Sequence, residues 1–224
     1  MQRSVAWVLF VHTLRRQWRQ AGNLVHASLF AAMLVILASF AFYMRPSDAT
    51  RIGAGALWLS LYFASTLVMA RDWRDERELD AFALLLHSPC PTGWLFFTKA
   101  MSNWLMLIVV QCFLLPLTAL LFSLPIGPVL LPLAAVFLLG SLGFTLTCTL
   151  FMALGLRRRQ REMLLTVAVF PLSAPALLGS VVATRELLNG AALSAINSWL
   201  GLLVAFDLLA LAAGLLLFEA LVRE

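Results

Sequence analysis

The densest chemistry in this sequence lies in one short stretch. Arg71-Asp72-Trp73-Arg74-Asp75-Glu76-Arg77-Glu78-Leu79-Asp80 carries eight charges in ten residues. On a helix it sets Arg71 with Asp75 and Arg74 with Glu78 as i,i+4 ion pairs. Both signs interleaved at this density suit docking against another charged surface, so Arg71, Asp72, Arg74, Asp75, Glu76, Arg77, Glu78 and Asp80 are the candidate contacts. Asp207 is an acid of another kind, because it falls about ten residues into an apolar run. An ionisable group there is costly and marks either a functional site or a hydrogen bond between helices. Pro171 and Pro175, in Phe170-Pro171-Leu172-Ser173-Ala174-Pro175, lie one helical turn apart. They free backbone carbonyls and favour a kink or break, which suits a moving or re-entrant segment.

Other chemistry is missing. The chain has a single lysine, Lys99, and the preceding Gly93-Trp94-Leu95-Phe96-Phe97-Thr98 lacks the glycine pattern of a phosphate-binding loop. Any ATP that drives this protein is therefore expected to bind another chain. No His-Glu-x-x-His, Cys-x-x-Cys or Gly-x-Ser-x-Gly occurs, so neither a catalytic nor a metal site is expected. Cys90, Cys112 and Cys148 are odd in number and far apart, which argues against a disulfide framework. His26 reads as an interface or hydrogen-bonding residue, and Asn103 and Gln111 as hydrogen-bond partners between helices.

These residues must be positioned by a membrane scaffold. Of the 224 residues, 62% are apolar and only 12% charged, and the mean hydropathy is +0.93, outside the range of soluble domains. Residues 100–156 contain no Asp, Glu, Lys or Arg, room for two spans of roughly 20 residues and a turn. Apolar runs between charged boundaries predict six transmembrane helices, at about 24–44, 52–70, 100–123, 129–156, 163–184 and 198–222. Pro125-Ile126-Gly127-Pro128 makes the turn that pairs the third and fourth. Long unbroken apolar runs exclude a β-barrel. Small residues, among them Gly140, Ser141, Gly143 and Thr145 in the fourth span and Gly201, Ala205, Ala212, Ala213 and Gly214 in the sixth, are expected to bring helices close.

With the N-terminus in the cytoplasm, thirteen of the sixteen basic residues fall on that side, and only Arg45, Arg51 and Arg185 on the other. The positive-inside rule then puts both termini in the cytoplasm. The net charge of +5 is thus spent on topology and lipid phosphate, and no nucleic acid is expected as a partner. No cleavable signal peptide is expected either, since residues 1–20 hold four arginines and lack a compact apolar run with a small-residue cleavage site. Trp7, Phe10, Val11, Leu14 and Trp18 recur at helical spacing instead, predicting an amphipathic interfacial helix over 1–20. Arg157-Arg158-Arg159-Gln160-Arg161-Glu162 reads as a lipid-attracting turn. Five acids in the 71–80 cluster exceed anything topology needs, which singles out 71–91 as a cytoplasmic coupling segment between spans two and three.

An interfacial N-terminal helix, six spans, a charged helix between the second and third, and both termini inside together resemble the permease subunit of an ABC-2-type transporter. Leu139-Gly140-Ser141-Leu142-Gly143, the turn leading into Arg161-Glu162-Met163-Leu164-Leu165, the Phe170 to Pro175 segment, Ala183-Thr184 and Val204-Ala205-Phe206-Asp207 look like the CcmB family of haem-exporter permeases. So do Arg74-Asp75-Glu76 with Ser88-Pro89 and Lys99-Ala100-Met101-Ser102-Asn103-Trp104. The resemblance covers nearly the whole chain. One departure is Asp80-Ala81-Phe82-Ala83, where the family commonly has an Asp-Gly-x-Leu-Glu-like run, and it bears on the partner contact or the helix boundary.

The resemblance implies an all-α polytopic membrane protein with a type-II-exporter-like fold, residues 1–224 forming a single permease domain. It implies a multi-pass subunit of the bacterial inner membrane, not catalytic alone, working with the ATPase CcmA, with CcmC and CcmD, and with the haem chaperone CcmE in cytochrome c maturation. Haem is then a possible substrate of the complex, ATP belongs to the partner subunit, and no cofactor is assigned to this chain. Two other readings stay open. One is a self-contained secondary transporter using Asp207 and a helix broken at Pro171 and Pro175; the other is a non-transporting assembly scaffold.

Overall fold

The computed structural model describes residues 10, 11, 13–15, 17, 21–42, 46–78, 92–155 and 162–223, with side chains at most of these positions. All regular structure among them is helical: α1 (Ala21–Ala41), α2 (Pro46–Glu78), α3 (Thr92–Phe122), α4 (Leu130–Gly155), α5 (Glu162–Leu188) and α6 (Leu193–Arg223), with a 3-10 turn at Gly127–Val129. In hydrocarbon a backbone can satisfy its own polar groups only as a helix or a closed barrel, so these apolar runs have no other stable local form.

Five helices among the described residues, α1, α2, α3, α4 and α6, are long and apolar enough to cross a membrane. Helix α5 is 27 residues long, about 40 Å. It differs from the others in carrying two prolines and an Arg185–Glu186 ion pair of 3.0 Å near its end. Its helix continues through Pro171 and Pro175, so the expected break is absent and the lost backbone bonds are absorbed within a continuous helix.

Two other boundaries differ from expectation. The third helix starts at Thr92, ahead of Lys99, because Phe96 and Lys99 are both buried in the bundle. And α2 runs without interruption from the apolar span into the charged cluster, giving one helix of 33 residues, about 50 Å long.

Connections at one end of the bundle are short. Helix α3 ends with Ser123 at φ 51° and Leu124 N–H donating to Ala119 O at 2.9 Å, after which Pro125 prevents continuation. At the close of α5, Gly190 takes φ 80° while Gly190 N–H reaches Leu187 O and Ala191 N–H reaches Glu186 O, each at 3.0 Å. That is a Schellman cap, and it needs a residue free to adopt the left-handed region. Thr50 Oγ1 donates to Asn189 Oδ1 at 2.9 Å, and Gly53 lies against Phe122 and Leu124. The start of α2, the α3–α4 turn and the α5–α6 turn therefore share one end, together with Arg51 and Arg185.

Helix α4 is the hub, packing against α2, α3, α5 and α6, while α1 lies on α2 and α3. Every residue from Gly143 to Leu150 is buried. The outer faces of α1 and α6 carry exposed Leu29, Met33, Leu208, Leu209 and Leu216, as lipid-facing helices should.

The N-terminal segment is helical at Phe10, Val11, Thr13–Arg15 and Gln17; Trp7, Arg16, Trp18 and Arg19 lie outside the described residues. Its relation to the bundle differs from a purely interfacial helix. Leu14 packs against the core, and the polar Gln17, three residues on, is buried with it.

Candidate functional site

Of the eight charged candidates, seven lie on α2. Its backbone is helical through Glu78, so the i,i+4 spacing of Arg71 with Asp75 and Arg74 with Glu78 is realised in the backbone. Side-chain placement is described for Arg71 alone; Asp80 and the rest of 79–91 lie outside the described residues. Arg71 is partly buried, and its Nη1 donates to Asn23 Oδ1 of α1 at 3.1 Å. This guanidinium is thus used inside the bundle, and the residues beyond it continue on the same helix away from the apolar span.

Farther along α2, Trp58 has no exposed surface. Its Nε1 donates to Thr184 Oγ1 of α5 at 2.8 Å. Its ring packs on Phe137 at 4.8 Å and edge-on to Phe144 at 5.8 Å. Gly140 of α4 makes this possible: a Cβ there would collide with Ser180 Oγ and lie 2.7 Å from the Trp58 ring. One turn on, Tyr62 stacks edge-to-face on Phe144 at 5.8 Å and Phe170 at 5.4 Å. Helix α2 is thereby locked to α4 and α5 through an aromatic joint seated on a glycine. Sequence reasoning missed Trp58. The available signal was a tryptophan in mid-span, whose indole N–H needs a partner once buried.

Asp207 is 6% exposed and lies over Gly143 of α4, where a Cβ would come within 2.8 Å of Oδ1. Neither carboxyl oxygen has a hydrogen-bond partner among the described residues. Pro171 and Pro175 are exposed on the outside of α5, whereas Ser173 between them faces inward and is fully buried. The proline rings thus face outward while Asp207 is buried inside, over α4. Of the small residues, Gly140, Gly143 and Gly214 are sockets, Gly214 receiving the Phe96 ring; a Cβ at Gly201 would meet nothing.

A test of Asp207 follows from its lack of partners. Leucine has nearly the same branched shape, and replacing an unsatisfied buried polar group by an apolar isostere removes a desolvation cost of about 1–3 kcal/mol. Asp207→Leu is expected to raise the thermal midpoint of the detergent-solubilised chain; a lower midpoint would mean that the carboxyl has a stabilising partner in the membrane.

The remaining polar residues have modest roles. His26 is exposed, with Nδ1 2.6 Å from Gly22 O, and Gln111 Nε2 donates to Phe137 O at 3.4 Å. Asn103 is fully buried and accepts from Gln17 Nε2 at 2.7 Å. Cys112 is exposed and Cys148 buried, both free. Among the described residues no group of three or more His, Cys, Asp or Glu could hold a metal ion. What the arrangement offers is mechanical: a long helix with a charged outer end, gripped deep in the bundle by a hub helix.

Comparison with known proteins places this scaffold. The family description "CcmB protein" matches residues 4–223. The chain is similar to "Heme exporter protein B" of Bradyrhizobium diazoefficiens, 28% identical over 180 residues covering 79% of each chain. It is also similar to "Heme exporter protein B" of Escherichia coli K12, 25% identical over 99 residues, 44% of this chain and 45% of the relative.

Proposed function

This chain belongs to the CcmB family, and from that premise we propose that it is the membrane subunit of an ABC-type haem exporter serving cytochrome c maturation. In this reading it crosses the bacterial inner membrane six times as a single domain, with both termini in the cytoplasm, and ATP is bound and hydrolysed by a separate CcmA-type subunit. CcmC, CcmD and the haem chaperone CcmE complete the assembly, and ATP hydrolysis drives haem export or release of the haem-loaded chaperone. The basic residues of the two bundle ends support this orientation, because Arg51 and Arg185 share the end with the short turns while the charged extension of α2 leaves the other.

The observation that carries the coupling reading is the continuity of α2 from Pro46 to Glu78. Sharp kinks arise at prolines, Gly/Ser pairs, π-bulges or inserted groups, and otherwise a long helix only curves gently, so a push on residues 72–78 is passed along α2 to its apolar span. Trp58 then passes that movement to α5 through Thr184 and to α4 through the Gly140 socket. The self-contained transporter is the weaker reading, since an unbroken α5 with outward-facing prolines leaves Asp207 without the half-helix ends such a site uses.

The test is recovery of the tagged chain from membranes of a bacterium that matures c-type cytochromes. A P-loop ATPase is expected to co-purify. Two glycines inserted between Ala70 and Arg71 are expected to leave that ATPase bound but to cut mature cytochrome c at least tenfold. Recovery of the chain without any ATPase, or full maturation with the insertion, would overturn the coupling reading.

A further inference from the structure

The N-terminal segment at Gln17 and the start of α1 at Asn23, six residues apart, bond to α3 and α2 respectively, the helices on either side of residues 79–91. Gln17 is 7% exposed and Asn103, on α3, is fully buried; the Gln17 Nε2 to Asn103 Oδ1 bond is 2.7 Å. Asn23, at the start of α1, accepts from Arg71 of α2 at 3.1 Å, and Arg71 is the last residue of α2's apolar span. Six residues reach at most about 20 Å when fully extended. The distance that α2 and α3 can open at this end is therefore limited while both bonds hold.

The tie to α3 is specific and buried. Asn103 lies eleven residues beyond the start of α3 at Thr92, about 16 Å along its axis, so Gln17 reaches into the packed bundle and is not held at its rim. Leu14, one turn earlier, packs against the core on the same side. Each amide has one group without a partner, Gln17 Oε1 and Asn103 Nδ2. A buried amide pair that already leaves two groups unsatisfied loses little more on parting if water enters, which makes this the point of the tether that opens first.

We propose that Gln17 and Asn103 are positioning residues that set the spacing of α2 and α3 at the coupling end, and that their bond yields when the ATPase displaces α2. The Asn23–Arg71 bond keeps the N-terminal segment attached to α2, so that it leaves α3 as one unit with the moving helix. This inference rests on the coupling reading of the previous subsection, but its first test does not.

In inverted membrane vesicles, trypsin is expected to cut the N-terminal segment after Arg15, Arg16 or Arg19 at least fivefold faster in Asn103→Ala than in the wild-type chain. Gln17→Ala gives the same increase and serves if Asn103→Ala fails to accumulate. The exchange Gln17→Asn with Asn103→Gln keeps the combined side-chain length and the amide pairing, and is expected to restore protection to within twofold. Equal cleavage in the wild-type chain and both alanine variants, or no rescue by the exchange, overturns the tether whatever the fate of the ATPase. In the assembled complex, Gln17→Ala is expected to keep the ATPase bound within twofold while mature cytochrome c falls at least fivefold. Unchanged maturation there overturns the coupling role of the pair, whereas loss of the ATPase from the wild-type complex would count against the coupling reading and not against the tether.

Discussion

Arg74→Glu, Asp75→Lys and Glu76→Lys made together are expected to lower co-purification of the cytoplasmic ATPase at least tenfold while the amount of inserted chain stays within a factor of two. Exposed charge pairs contribute only about 0.2–1 kcal/mol each. Reversing three turns each attraction into a repulsion, and the sum readily passes the 1.4 kcal/mol that a tenfold change requires. Insertion survives for two reasons. The cost to the helix is confined to i,i+4 pairs of about 0.3–0.5 kcal/mol, and the change adds net positive charge on the side that the positive-inside rule favours. Arg71 is left out of the set because its guanidinium bonds Asn23, so replacing it would disturb the bundle as well as the docking surface. Quantitative blotting of chain and ATPase after solubilisation measures both numbers, and undiminished ATPase recovery with undiminished cytochrome c maturation would remove the 72–78 extension from the contact.

Gly140→Leu is expected to remove most folded chain from the membrane, and Gly140→Ala to lower stability by about 1–3 kcal/mol, the usual cost of overpacking a tight core. The first added carbon already falls on Ser180 Oγ and within 2.7 Å of the Trp58 ring. The ring cannot retreat, being hydrogen-bonded to Thr184 and closed in by Phe137 and Phe144. Gly201→Leu is the control. It is also a small residue of an apolar span, but a Cβ there meets nothing within 4 Å, and stability should change by less than about 0.5 kcal/mol. Resistance to chymotrypsin in mild detergent reports the difference, and equal behaviour of the two leucine variants would contradict the socket.

That pair also marks the limit of sequence reading. Gly140 and Gly201 carry the same local signal, a small residue in an apolar run, and nothing within a few residues of either says which one faces a neighbour. The same holds for Gln17. Its side chain is polar, yet it is buried because Asn103, 86 residues away, supplies its partner. The two prolines read as a kink or break because each removes a backbone bond, and the helix nonetheless runs on through both.

The broad assignments were accessible because they add up along the chain. Hydropathy summed over about 20 residues separates lipid-crossing runs from cytoplasmic ones, and the balance of Lys and Arg across those runs fixes an expected orientation. An excess of acids that neither sum explains pointed to 71–80. Membrane class, helical build and the approximate place of the six helices could therefore be read from residue order alone, and so could the charge cluster proposed for docking. Tertiary structure decided the rest: that α2 continues as one helix from its apolar span into the charged cluster, that α4 is the hub, that Asp207 rests on Gly143, and that Gln17 bonds Asn103. Each of these depends on which distant residues meet, a property of pairs that no sum over neighbouring positions contains.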